Sequence, residues 1–366
     1  MKVLILTEPS IPNKYWEAAL PLLRVKGIDA HFATVRRAAP LRAELEANGV
    51  PVMAFAAKSS VDYPMVTLNL ARFVRKEAFD IVHASESIPA AISGISSFIA
   101  RAPIRLFHRH HNSCAEPTKL FYNIANRTSD FMMTVSSSTK AFAHKVDGFD
   151  EDKIQVAYNG IEQLRKVESD EVRKLRNDLG ISENARVISI VARLTSEKGH
   201  MTLFEAARIA ADSLAEPLHI VVTGSGYYEA ELRQAASQYS AFIVHFVGHR
   251  EDIAPWYVLG DIVAVPSYSE PFGLVAAEAM SCKKPLIASG VDGLLEVVED
   301  GVSGILVPPK NDKALADAIL KVLKSSELAN RLIENGQKRV REKFTTEKMV
   351  DGWINCYSNA VKEFRK

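Results

Sequence analysis

Short apolar runs alternate with stretches of helical period along the chain. KVLIL (2–6) precedes a helical pattern around 14–26, DAHFATV (29–35) precedes APLRAELEANG (39–49), and PVMAF (51–55) precedes helical 64–77. DIVHA (80–84) leads into helical 88–100, IRLFH (104–108) into a helix near 117–126, and FMMTVS (131–136) into a helix near 137–146, before KIQVAYNG (153–160). Then the pattern restarts. ARVISIVARL (185–194), LHIVVTGSG (218–226), FIVHFVG (242–248), DIVAVPS (261–267) and PLIAS (285–289) read as strands. Helices are expected over 199–211, 227–237, 251–258 and after the Pro-Phe-Gly at 271–273. GILVPP (304–309) is followed by polar amphipathic helices, the last near 345–363 with Trp353 and Tyr357. Brief apolar runs between amphipathic helices indicate parallel strands covered on both faces, since such strands have no solvent side to mark.

The restart follows NGIE (159–162), where the charged stretch EQLRKVESDEVRK begins. The expected fold class is α/β, with two tandem Rossmann-like domains whose parallel sheets face across a cleft. The boundaries are 1–163, 164–344, and a C-terminal helix over 345–366 that crosses back onto the first domain. Length agrees, because 366 residues exceed one ordinary core. Open parallel sheets bind ligands beyond the carboxyl ends of their strands, so function is expected on the loops there.

Composition adds exclusions. Hydrophobic residues make up 47% and charged residues 24%, with a net charge of +1, so no global field points to nucleic acid. Residues 1–165 carry +4 and the remainder −3. Cys114, Cys282 and Cys356 lie far apart without metal spacing, which fits a reducing, cytoplasmic setting. MKVLILTEPS is too short for a signal h-region and reads as the first strand, and IPAAISGISSFIA (88–100) is too short to span a bilayer.

Candidate chemistry gathers in the second half. SEPFGLVAAEAM (269–280) places Glu270 and Glu278 around Pro-Phe-Gly. Pro271 suits a first helical turn, and Gly273 lets backbone approach a ligand. The amides of Phe272, Gly273 and Leu274 then face outward from a helix start that favours a phosphate or sugar oxygen. Glu278 lies about 12 Å of helix from Glu270, the span of a nucleotide sugar from sugar to ribose. The other reading is an amphipathic helix whose glutamates only answer the helix dipole. Against it, Glu278 stands among Val275, Ala276, Ala277, Ala279 and Met280, where an unpartnered charge is costly. Arg193 and Lys198, five residues apart after the strand VISIVARL, can converge on one diphosphate, although Glu197 can pair with either. Gly224 and Gly226 in VTGSG fit a phosphate loop or merely a tight turn.

These pieces together resemble the retaining glycosyltransferases of family 4, which have the two-domain GT-B fold. The resemblance runs through HRHHN (108–112), VSSSTK (135–140), KIQVAYNGIE (153–162), VARLTSEKG (191–199), VTGSG (222–226), FVGHRED (246–252), PSYSEPFGLVAAEAM (266–280) and GVDGLLEVVEDGVSGILVPP (290–309). It covers the second half almost throughout and the first in patches. It implies that Arg193 and Lys198 bind the donor diphosphate and Glu270 meets the donor sugar. Phe272, Gly273 and Leu274 would offer amides, Glu278 would hold the ribose hydroxyls, and Gly248, His249 and Arg250 would frame the base, beside the glycine turn at Gly224. A histidine contacts the transferred sugar in the family. His108, His110 and His111 compete for that role here, with His110 favoured, then His111. The first-strand loop departs from the family: TEPSIPNKYW (7–16) has no glycine, leaving contacts to Asn13, Lys14 or Tyr15.

The resemblance implies metal independence, with arginine and lysine neutralising the leaving diphosphate, and no cofactor beyond a nucleoside diphosphate sugar as co-substrate. The DED at 150–152 reads as a solvated loop, and the three histidines as a loop cluster, not a metal site. The expected partners are a nucleotide-sugar donor, UDP-linked by preference, a glycan or lipid-linked acceptor of polysaccharide or glycoconjugate synthesis, and no nucleic acid. Arg72, Arg75 and Lys76 beside apolar positions in 65–79 allow peripheral contact with a membrane. A sugar-nucleotide epimerase and a non-catalytic sugar-nucleotide-binding protein stand as alternatives. An NAD-dependent oxidoreductase is disfavoured, since no G-x-G-x-x-G follows either first strand.

Overall fold

The computed structural model describes residues 1–8, 14–36, 39–100, 104–112 and 118–365. The chain divides into two compact units, Met1–Glu162 with Thr346–Lys366, and Gln163–Thr345. Both are Rossmann-like.

In the first unit the elements run β1 (Lys2–Thr7), α1 (Lys14–Val25), β2 (Asp29–Thr34), α2 (Ala39–Ala47), β3 (Val52–Ala54) and α3 (Tyr63–Glu77). They continue β4 (Ile81–Ser85), α4 (Ser87–Ala100), β5 (Ile104–Arg109), α5 (Lys119–Thr128), β6 (Phe131–Thr134), α6 (Ser137–Lys145) and β7 (Ile154–Val156). The sheet order is β3-β2-β1-β4-β5-β6-β7, all parallel, so the winding reverses between β1 and β4. One face packs on α1, α2 and the C-terminal helix, and the other on α3, α4 and α5. The run PVMAF thus shortens to a three-residue edge strand.

The second unit runs α7 (Ser169–Asp178), β8 (Arg186–Val191), α8 (His200–Ala211), β9 (Leu218–Thr223), α9 (Glu229–Ala236), β10 (Ile243–Gly248) and α10 (Ala254–Leu259). It continues β11 (Ile262–Val265), α11 (Leu274–Ser281), β12 (Leu286–Ser289), α12 (Leu294–Val297), β13 (Ile305–Val307), α13 (Asp312–Leu323) and α14 (Ser326–Lys343). The order β10-β9-β8-β11-β12-β13 reverses between β8 and β11. The charged stretch expected only as a hinge contains α7, because Val172, Leu175 and Leu179 recur on one face and pack beside Trp256 and Leu259.

The last helix, α15 (Thr346–Phe364), belongs to the first unit. Met349, Val350, Trp353, Cys356, Tyr357 and Ala360 form its buried stripe against α1 and the sheet. Trp353 is the largest fully buried side chain among the described residues. Cys282 and Cys356 are free thiols, and burial pushes them up to about 11 and about 12; Cys114 lies outside the described residues.

Candidate active site

In the second unit, the loops after β8, β9, β11 and β12 converge at the reversal point. The glycine turn after β9 locks onto the loop after β8. Leu194 N–H donates to Ser225 O at 2.9 Å, and Tyr228 N–H to Leu194 O at 3.0 Å. A Cβ on Gly224 (φ +139°) would stand 1.9 Å from Ala192 O, and one on Gly226 would stand 2.2 Å from Leu194 O. These two glycines are therefore required by loop-on-loop packing, whatever ligand lies beyond.

Lys198 ends a single 3-10 turn, Ser196–Lys198, and its Nζ meets Glu270 Oε2 at 2.6 Å. Both side chains are largely buried, at 14% and 17% exposure. Ser267 Oγ donates to the same carboxylate oxygen at 3.2 Å. Tyr268 staples the two loops: its N–H donates to Glu197 O at 2.8 Å, and its hydroxyl pairs with Thr202 Oγ1 at 2.9 Å. Asp292, after β12, accepts from Ser269 Oγ at 2.6 Å and from Glu270 N–H at 3.0 Å, while Gly293 N–H donates to Glu270 O at 3.0 Å. Glu270 is thus held at its carboxylate, amide and carbonyl.

Arg193 does not join this pair. It reaches Glu197 Oε1 at 3.6 Å with its side chain 73% exposed, and Thr195 holds that carboxylate at 2.7 Å. Pro271 does not open the helix either. α11 starts at Leu274 with Gly273 as its left-handed cap (φ +106°), since the clamp on 269–272 keeps that segment a turn. The Phe272 side chain is buried edge-on to Phe344, with ring centroids 5.6 Å apart. Glu278 lies one turn into α11 and is not unpartnered: Tyr257 of α10 donates its hydroxyl to Oε2 at 2.6 Å. Burial raises the Glu278 carboxyl and this hydrogen bond opposes it; burial also raises the Tyr257 phenol well above its usual value. Gly248 has φ +75° with open space beside it, and His249 and Arg250 are exposed, the guanidinium 5.0 Å above the Trp256 ring.

In the first unit a histidine cluster forms where β4 and β5 end. His108 lies inside β5, fully buried, with Nδ1 3.0 Å from His83 Nε2. Tyr357 of α15 reaches His83 Nδ1 at 2.6 Å. His110 stands past the strand end, Nε2 3.0 Å from Ser85 Oγ, its ring centroid 4.0 Å from that of His108. Burial pushes His83 down to about 3, His110 to about 4 and His108 well below its ordinary value. His111 is exposed and 3.5 Å from Glu86 Oε1. Burial works against the Glu86 charge, but the hydrogen bond to His111 together with the neighbouring His110, His111 and Arg109 outweighs it and holds the carboxyl below its usual range.

The bend carrying these rings is fixed by Arg109, fully buried between Tyr122 and Phe142 and paired with Asp147 Oδ2 at 2.6 Å. Its Nε donates to His111 O at 3.0 Å. Tyr15 packs edge-on to His110 and donates to Asn159 Oδ1 at 3.1 Å. Asn13 and the Lys14 side chain lie outside what is described. The DED is exposed, Asp150 capping its own turn by accepting from Asp152 N–H. Among the described residues no group of three or more His, Cys, Asp or Glu is arranged to hold a metal ion. Sequence reasoning missed Ser85, Glu86, Arg109, Tyr257, Tyr268 and Asp292. The only available signal was Asp292-Gly293, with two residues between it and the end of the strand PLIAS, a turn motif at a strand's ligand end.

A family model described as Glycosyltransferase Family 4 matches residues 15–163, and one described as Glycosyl transferases group 1 matches residues 171–339. An uncharacterized glycosyltransferase of Methanocaldococcus jannaschii is 31% identical over 239 residues, 63% of this chain and 60% of that protein. A D-inositol 3-phosphate glycosyltransferase of Geodermatophilus obscurus is 37% identical over 199 residues, 51% of this chain and 43% of that protein. The chain thus spans about half the length of these curated relatives. Anabaena HepE, solved in complex with UDP, superposes with a TM-score of 0.82 at 26% identity, covering 98% of this chain and 100% of that one. The same protein has also been solved with UDP and glucose. With one glycosyltransferase model on each of its two Rossmann-like units, the chain belongs to the family 4 glycosyltransferases.

Proposed function

We propose that the protein transfers a hexose-type sugar from a nucleoside diphosphate sugar, UDP-linked by preference, to a hydroxyl of a glycan or glycolipid, with retention at the anomeric carbon and without a metal. The observation that carries this reading is the Lys198–Glu270 pair at 2.6 Å, built from two loops at the sheet's reversal point. A lysine held by one carboxylate beside Ser267 and the Gly273 cap is ready to exchange part of that contact for a diphosphate oxygen. Glu270 then turns to sugar hydroxyls. Arg193, largely solvated, swings from Glu197 onto the same diphosphate. Glu278, backed by Tyr257, takes the ribose hydroxyls, and His249 and Arg250 flank the base.

Departure of the diphosphate develops negative charge that Lys198 and Arg193 neutralise, while the acceptor hydroxyl enters on the same face. His110, which burial pushes down to about 4 and so keeps neutral at physiological pH, is the first unit's candidate for a hydrogen bond to a sugar hydroxyl without adding charge. Support for a UDP-sugar comes from HepE, solved with UDP and glucose.

The test is a thermal-shift screen of UDP-, GDP- and ADP-sugars, followed by NMR of the anomeric proton of the product. Stabilisation by one nucleotide family and a product keeping the donor's anomeric configuration is expected. An inverted product sinks the retaining mechanism, and the absence of any sugar-nucleotide shift sinks the donor assignment.

A further inference from the structure

One face of the first unit is used neither by its core nor by the donor chemistry. α4 lies between α3 and α5. Ser96 Oγ donates to Thr67 O of α3 at 3.0 Å, and a Cβ on Gly94 would stand 1.9 Å from Thr128 Oγ1 of α5. Squeezed in this way, α4 exposes only Ile95, Phe98 and Ile99, all apolar, with Phe98 79% exposed. Beside them, at the level set by the Ser96–Thr67 bond, α3 exposes Met65 (68%) and Leu68. Five large apolar side chains turned to water on adjoining helices exceed the scattered exposure of ordinary surfaces.

Charge says what covers them. Arg72, Arg75 and Lys76 continue the exposed face of α3, and Arg127 is exposed on α5. None of the four makes an ion pair among the described residues. Glu77 is the one carboxylate of the three helices, and Lys2 engages it at 3.0 Å. We propose that this apolar, cation-rimmed face docks on an anionic phospholipid bilayer, with Phe98 and its neighbours in the acyl boundary and the arginines and Lys76 among the phosphates. A second copy is a poor occupant, because a twofold contact through this face would set four unpaired cations against four. Docking is interfacial, as no helix of the described residues is long and apolar enough to cross a membrane.

The face shares a helix with the histidine cluster. α4 starts at Ser87, directly after Ser85 and Glu86, and Phe98 follows eleven residues on, about 16 Å along the axis. The docking itself is independent of the transferase reading, since vesicle binding needs neither donor nor acceptor.

The test is sedimentation of the full chain with vesicles of phosphatidylcholine alone or mixed with phosphatidylglycerol. Binding only to the anionic vesicles, weakened by salt, is expected. Each cation near such a surface contributes about fivefold in partitioning, so the triple variant Arg72→Gln, Arg75→Gln, Lys76→Gln should lose on the order of a hundredfold. The pair Phe98→Glu, Ile99→Glu should abolish pelleting while keeping the thermal midpoint and any UDP-sugar shift. Pelleting that is equal on neutral vesicles or unchanged in both variants overturns the proposal. So does light scattering that shows a dimer which Phe98→Glu dissolves, since the face would then belong to a second copy.

Discussion

The two units present opposite electrostatic solutions at the ends of their strands. In the second, charged side chains are brought together and satisfied by one another: Lys198 on Glu270, Asp292 on the amide of Glu270, Arg193 beside Glu197. In the first, the rings at the strand ends are kept neutral by burial, with His83, His108 and His110 all shifted to lower pKa. A paired charge can change partner when a diphosphate arrives, so the second unit suits a ligand that brings its own charge. A neutral, hydrogen-bonding imidazole suits a sugar, which brings none.

The largest expected effect breaks the support of the neutral side alone. Trp353→Ala removes a fully buried indole that packs edge-on to His83 and His108, with ring centroids 5.5 and 5.7 Å away. It should cost about 3–5 kcal/mol of stability in a denaturant melt, while the UDP-sugar affinity of the second unit stays unchanged. A matching loss of donor affinity would show that the two units are not energetically separate.

Slightly smaller is the charged side itself. Lys198→Ala should lower kcat by about 10²–10³-fold with the fold retained, as for removal of a group that neutralises developing charge. Arg193→Ala should fall in the same direction. Near-normal turnover in both variants would falsify the diphosphate role.

Acid sharpens the contrast. The three histidines of the cluster have native pKa values below the ordinary 6.5, so the unfolded chain binds protons first as pH falls. Their contribution is complete above pH 6.5 and is lost on descent, toward about 4 for His110 and about 3 for His83, with His108 changing in the same direction. His200, pushed to about 4 by burial, adds a like dependence in the second unit. Melting temperature measured from pH 7 to pH 5 should drop, and the drop should shrink in His110→Asn. An unchanged slope in that variant would mean that His110 titrates normally.

The smallest effect concerns the far end of the donor. Tyr257→Phe removes the hydroxyl from Glu278 and should weaken UDP-sugar binding by about 1 kcal/mol, with kcat little changed, read by calorimetry. A change in kcat without a change in affinity would detach Glu278 from the ribose.

Much of the architecture was legible because parallel strands buried on both faces leave apolar runs such as VISIV and HIVV, which no turn or exposed helix imitates. Element ends were less legible. Pro271 reads as a helix start, yet the Asp292 clamp, twenty-one residues away, keeps 269–272 a turn and delays α11 to Leu274. α7 was hidden because its charged residues outnumber Val172 and Leu175, which decide its packing together with Leu179 just past its end.

The chain's own order of residues determined that there would be two parallel sheets, that reactive side chains would follow their strands, and that glutamate, lysine and arginine would gather in the second half. Periodicity and local turn chemistry act over a few residues and are written in plain view. Only the tertiary structure decided who touches whom. Lys198 and Glu270 are seventy-two positions apart, Tyr357 meets His83 across 274, and Arg109 is silent until Asp147 is folded beside it. Such pairings depend on the order in which strands are laid into a sheet, and strand order has no local signature.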